Sequence, residues 1–150
     1  MPSTSREVLA AEAWRLMLDY LIATSPARSR SLAARRLTPN DARALHMLET
    51  DNGQSMGALA RAWNCDASMV TWIVARLERA GLVERRATAA DRRIKLVVLT
   101  PKGAKTKAEL MAEYRTPPQE VARLTVQELE SLRHIVQKLL SETKGARVDR

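Results

Sequence analysis

The segment SMGALARAWNCDASMVTWIVARLERAG, Ser55 to Gly81, leaves the chain few folds to adopt. Ser55 stands as the cap of a short helix on which Leu59, Ala60 and Trp63 share one face. Trp63-Asn64-Cys65 makes a tight turn, with Asn64 where such turns favour glycine, a residue type that also tolerates the left-handed conformation. Asp66 then caps a second helix that runs to about Ala80 and stops at Gly81. Two short helices across a tight turn read as a helix-turn-helix. Directly after it come LVERR and IKLVVLT, two runs rich in apolar and β-branched residues, separated by ATAADR. They read as a β-hairpin with Ile94, Leu96 and Val98 on its core side.

An α-helix advances about 100° per residue, so the second helix of the pair divides by face. Val70, Ile73, Val74 and Leu77 form the arc to be buried, and Ser68, Thr71, Trp72, Ala75, Arg76 and Arg79 the exposed one. That exposed arc is small or hydroxylated at its start and cationic towards its end. A helix in the DNA major groove needs this gradient, with short side chains at base edges and arginines against phosphates. An ordinary solvated helix shares it, and the hairpin separates the two readings. Arg85, Arg86, Arg92, Arg93 and Lys95 cluster there, opposed nearby by Glu84 and Asp91. Isolated, such charges merely guard a sheet edge. After a helix-turn-helix they form the wing of a winged helix, beside the neighbouring groove.

Charge supports an anionic partner, since 25 Lys and Arg against 17 Asp and Glu give +8 and a pI near 10.4. Nucleic acid and acidic membrane are the usual choices. No apolar run is long enough to span a bilayer, and MPSTSREVLA lacks the core of a signal peptide, so nucleic acid in the cytoplasm is the expectation. The single cysteine, Cys65, permits no internal disulfide and is consistent with a reducing cytosol. His46 and His134 have no neighbouring ligand set at metal spacing, so no metal and no cofactor are expected.

The flanks read as helices. From Arg6 to about Ser25, Leu9, Ala13, Leu16 and Tyr20 recur at helical spacing, and Trp14, Leu18 and Leu21 widen the stripe into a broad face to be buried. Pro26 is expected to end or kink this helix, leaving SPARSRSLAARR as a basic connection. Thr38-Pro39 with Asp41 opens another helix, which Asn52-Gly53 closes. Thr100-Pro101 repeats the cap-and-proline start for a helix to around Tyr114, and Pro117-Pro118 interrupts it. Thr125 and Glu128 form a capping box for a last helix, with Leu129, Leu132, Val136 and Leu139 in one stripe. The domain organisation expected is therefore 1–36 as first helix and basic connection, 37–100 as winged helix-turn-helix, 101–145 as C-terminal helices, and 146–150 as a frayed tail.

From about Leu37 to Leu110 the sequence resembles the multiple antibiotic resistance regulator (MarR) family of winged-helix transcription factors. The resemblance lies in the Leu37-Thr38 opening, in ALARAWNCDASMVTWIVARLERAGLVERR, and above all in DRRIKLVVLTPKG, which fits the wing signature of Asp-x-Arg, an alternating strand and Leu-Thr-x-x-Gly. It implies a mainly α fold with a small β-hairpin wing, and N- and C-terminal helices that dimerise. It also implies a cytoplasmic, nucleoid-associated homodimer that binds palindromic double-stranded DNA, most often a repressor released by a small aromatic or phenolic ligand. By this resemblance Ser68 and Thr71 approach bases and Arg76 contacts phosphate. It also has Asp91 steady Arg93 in the minor groove; apart from the resemblance, alternation along the strand turns Arg92 to the other side, and Arg92 and Lys95 are expected to meet phosphates. The chain departs from the pattern at Ala67, where proline is frequent, and at Trp72, where a polar residue is usual; the apolar edge of Trp72 suits a thymine methyl or packing on a neighbour. Trp14, Leu18, His46 and Met111 are the candidate ligand contacts. A ligand-independent architectural DNA-binding protein and a protein-docking winged helix are the competing readings. No nucleophile–histidine pair, phosphate loop or metal cluster points to an enzyme.

Overall fold

The computed structural model describes residues 5–145 and divides after Tyr114 into two compact units. The tail expected at 146–150 lies outside the described residues.

The first unit opens with α1, Ser5–Ala34, which passes through Pro26 rather than ending there. Proline removes one N–H and crowds the carbonyls of the preceding turn. The carbonyl that loses its helical donor is that of Ile22; in the turn just before it, Arg28 Nη2 donates to Leu21 O at 2.9 Å and Thr24 Oγ1 to Tyr20 O at 2.9 Å. The supposed basic connection is thus the last turns of the helix. It stops in a Schellman motif, with Arg36 in the left-handed conformation (φ 56°) and Leu37 N–H donating to Leu32 O. The broad face of α1 is not buried among the described residues; Trp14, Leu16, Leu21 and Ile22 remain half or more exposed.

Next, α2 (Pro39–Met47) starts at the expected Thr38 cap, which the structure shows to be a full capping box, Thr38 Oγ1 accepting from Asp41 N–H and Asp41 returning the bond to Thr38 N–H. It ends at Leu48, not at Asn52-Gly53. Gly53 instead permits a close approach, since a Cβ there would lie 2.7 Å from Leu96 Cβ. The chain runs that close because Gln54–Ser55, a strand the sequence did not disclose, joins the hairpin as β1. Ser55 then caps α3 (Met56–Trp63), Asn64 takes φ 51°, ψ 53° in the turn, and Asp66 caps α4 (Ala67–Arg79). Gly81, at φ 72°, ends α4 in a Schellman motif like those at Arg36 and Asn64.

Strands β2 (Val83–Ala87) and β3 (Lys95–Leu99) make the hairpin, in sheet order β1-β3-β2 with Val83 opposite Leu99 and Arg85 opposite Val97. The core side is the reverse of the expected one. Val97 is buried with Val83, whereas Ile94 is 49% exposed and Leu96 and Val98 are half-buried beside Gly53. With apolar residues at 96, 97, 98 and 99, alternation alone does not say which face is inward; Gly53, just before β1, lies close to the Leu96 and Val98 side chains on the second face.

Leu45, Leu59, Val70, Val74 and Leu77 are fully enclosed, so α2, α3 and α4 share one core. Each such side chain contributes roughly 1.5–3 kcal/mol. Leu82, Val83 and Val97 seat the sheet on it, and Leu110 brings in α5 (Pro101–Arg115). The start of α5 is bound to the end of α4. Thr100 Oγ1 donates to Gly81 O at 2.6 Å, Lys102 Nζ to Ala80 O at 2.8 Å, and a Cβ on Gly103 would fall 1.8 Å from Leu82 O. Further along α5, Lys107 Nζ donates to the Leu48 carbonyl that ends α2.

The second unit holds α6 (Gln119–Ala122) and α7 (Val126–Gly145), the latter opened by the Thr125–Glu128 capping box. Along α7, Leu132, Ile135, Leu139 and Leu140 are exposed. None of the described helices is long and apolar enough to cross a membrane.

Candidate nucleic-acid interface

The capping of α4 fixes the side chains at its start. Asp66 Oδ1 accepts from Met69 N–H at 2.8 Å and from Ser68 Oγ at 2.6 Å, and the bonds from Ser68 and Met69 hold its carboxyl below the usual carboxylate range. Thr71 Oγ1 donates to Ala67 O at 2.9 Å. A hydroxyl has one proton to give. With those protons engaged inside the helix, Ser68 and Thr71 turn acceptor lone pairs towards solvent.

Arg76 sits differently from the expectation of a free phosphate contact. Its Nε and Nη2 grip both oxygens of Asp41, at 3.1 and 2.7 Å. Asp41 is 1% exposed, so a buried carboxylate neutralises this arginine. Burial alone would raise the carboxyl's pKa, but the hydrogen bonds from Arg76 and Thr38 outweigh it and bring it below its ordinary value. The same guanidinium lies 4.9 Å from the centre of the Trp72 ring, within cation–π range. Trp72 remains 49% exposed, and Met69 beside it is exposed as well. With Asn40 and Ser68 they line an open hollow of about 490 Å³. Neither Asp41 nor Met69 stands out in the sequence as a site residue. The Asp41–Arg76 link spans 35 positions, and no local signal announces it.

The wing tip is a built turn. Thr88 Oγ1 and Asp91 exchange bonds, Thr88 donating to Asp91 O at 2.7 Å and accepting from Asp91 N–H at 3.0 Å. Asp91 Oδ1 accepts from the backbone N–H of Arg93 at 2.8 Å. The aspartate therefore steadies Arg93 through its main chain, not through its guanidinium as expected; an i to i+2 bond of this kind is within easier reach than the end of a long side chain. Of the hairpin's cations, Arg85 pairs with Glu78 of α4, an acid that sequence proximity to the hairpin does not suggest, and Arg86 pairs with Glu84. Arg92, Arg93 and Lys95 are exposed and have no acidic side-chain partner among the described residues. The unpaired charge is therefore concentrated at the tip.

Each of the four candidate ligand contacts has a distinct setting. Trp14 and Leu18 are exposed on α1, His46 is exposed on α2, and Met111 packs against the core. A smaller hollow of about 120 Å³, lined by Arg43, Trp63, Cys65 and Met69 among others, contains none of them. Cys65 is half-buried against the core, and Trp63, as expected, lies within it. No group of three or more His, Cys, Asp or Glu side chains fit to hold a metal occurs among the described residues.

A helix-turn-helix with an open recognition face, backed by a three-stranded sheet that carries an unpaired cationic tip, defines a winged-helix DNA-binding protein. Residues 37–95 match the MarR family. The chain belongs to that family, whose members are DNA-binding transcriptional regulators rather than enzymes. Among solved structures it is similar to a MarR family protein from Bacillus stearothermophilus, with 26% identity, a TM-score of 0.73, and 92% of this chain and 97% of that one covered. A probable transcriptional regulator from Pseudomonas aeruginosa is 31% identical over 77% of this chain and 92% of its own, with a TM-score of 0.52. S. aureus MepR in complex with DNA shares the fold at 21% identity and a TM-score of 0.59, over 85% of this chain and 98% of that one. No curated protein matches the chain significantly.

Proposed function

We propose that the protein is a cytoplasmic homodimeric repressor that binds a palindromic operator and is released by a small aromatic or phenolic ligand. In this reading residues 37–100 bind DNA, with α4 in the major groove and the tip in the adjacent minor groove of each half-site. Residues 1–36 and 101–145 supply the dimer contacts. The observation that carries it is the unpaired trio Arg92, Arg93 and Lys95 on a turn shaped by Asp91, next to the exposed face of α4. The uncovered apolar faces of α1 and α7 support the dimer. Two-fold symmetry would set the recognition helices about one DNA turn, ~34 Å, apart.

Selection of binding sites from random DNA, followed by footprinting and light scattering, tests the reading. Inverted-repeat sites bound by two chains are expected; a monomer that binds DNA in full strength would defeat the dimer. For the ligand, Trp14, Leu18, His46 and Met111 are the proposed contacts, and calorimetry with phenolic acids should show heat together with weakened DNA binding. Neither heat nor weakening would favour the ligand-independent architectural role.

A further inference from the structure

The exposed face of α4 is equipped for one base pair more than for the others. Ser68, Trp72, Ala75 and Arg79 lie within roughly 40° of the midline opposite the buried arc. Trp72 is the largest of them and lies between small residues a turn away on either side, so its indole stands proud of the helix. Arg76, held by both Asp41 oxygens, backs the ring at 4.9 Å, and Met69 extends the apolar surface into the hollow shared with Asn40 and Ser68. Guanine is most often read by a bidentate arginine or lysine. The arginine nearest this surface has its fork on Asp41 and is not available for that. Ser68 and Thr71, their protons engaged on Asp66 and Ala67, offer lone pairs, which suit an amino-group donor such as adenine N6.

We infer that the Trp72–Met69 surface reads the 5-methyl group of a thymine in the major groove, with Asp41 and Arg76 as positioning residues that hold the indole at that angle. This rests on the proposal that α4 enters the major groove. An apolar contact that discriminates T from C needs no donor or acceptor on the protein, and the methyl is the only apolar handle the major groove presents. It accounts for an exposed tryptophan and methionine side by side on a helix whose other outward residues are small, hydroxylated or cationic.

The test uses the full-length protein and a site selected from random DNA. Each thymine in a half-site is replaced in turn by deoxyuridine, which removes the methyl and leaves pairing and the minor groove unchanged. One methyl withdrawn from contact is worth about fourfold in affinity, so the symmetric double replacement should cost ~15-fold at one thymine position. Trp72→Ala should bind the parent site more weakly and show no loss at that position. Asp41→Asn should bind with the thymine-to-uracil ratio reduced below about threefold, an effect that general weakening of binding would not produce. Deoxyuridine tolerated at every position, or a ratio unchanged in Trp72→Ala, overturns the inference while leaving DNA binding intact; a protein-docking role for Trp72 would give the second result. Failure to select any site would instead sink the underlying reading as well.

Discussion

Asp41 serves three ends with one carboxylate. It completes the cap of α2, neutralises Arg76, and through Arg76 supports Trp72. Asp41→Ala should therefore destabilise the fold by about 2 kcal/mol, the order expected when a buried charged hydrogen-bonding group is lost. The dependence on pH follows from a folded-state pKa depressed below the unfolded one. Such a group contributes its stability above the unfolded value and loses it as pH falls through the folded one. Urea denaturation of wild type and Asp41→Ala should accordingly differ near neutrality and converge on strong acidification; a gap that persists in acid would show that lost packing, not charge, is responsible. At the wing, Asp91 acts on a backbone N–H, so charge and geometry are separable. Asp91→Asn keeps an acceptor oxygen and removes a negative charge near DNA, and it should bind as well as wild type or better. Asp91→Ala, which loses the turn, should bind several-fold more weakly. If both bind more tightly, Asp91 is only a repulsive bystander. Arg93→Ala should cost about tenfold and reduce the preference for A·T-rich flanks, more than Arg92→Ala does, because a narrow minor groove concentrates negative potential.

Between elements, two glycines separate close approach from open space. A Cβ on Gly103 would fall 1.8 Å from a backbone oxygen, so Gly103→Ala must push α5 off the end of α4 and should cost about 3 kcal/mol or more. A Cβ on Gly57, in α3, would meet only the tip of the flexible Arg61 at 3.7 Å, and Gly57→Ala should stabilise by about 0.5 kcal/mol. Thermal melts of the two variants should move in opposite directions. The same contrast explains what can be read from the sequence. The caps at Thr38, Ser55, Asp66, Thr100 and Thr125, and the left-handed Asn64, depend on bonds three or four residues long, and each is legible there. The continuation of α1 through Pro26, the strand β1 and the inward turn of Val97 depend on partners that local spacing does not reveal. So too at the site: Ser68, Thr71, Trp72 and the tip cations are visible by face and charge. The clamp on Arg76 is not, because its partner lies 35 residues away and is already accounted for as a helix-cap residue.

At the scale of the whole molecule, charge and apolar surface belong to different elements. The enclosed core belongs to the winged-helix elements, while α1 and α7 keep Trp14, Leu21, Ile22, Ile135 and Leu140 half or more exposed. Surface of that extent invites a second copy, and the dimer should persist at micromolar concentration in light scattering. A dimer also doubles the wing. Two copies of Arg92, Arg93 and Lys95 present six cations to the duplex, so the logarithm of affinity should fall with the logarithm of salt at a slope of about −5. Arg76 adds little, since Asp41 already balances it. The most direct measurement is therefore a salt titration of DNA affinity for wild type beside the triple variant Arg92→Ala, Arg93→Ala, Lys95→Ala. A wild-type slope of about −5 that falls by more than half in the variant is predicted; a slope near zero in wild type, or one that the variant leaves unchanged, would contradict the placement of DNA on α4 and the wing.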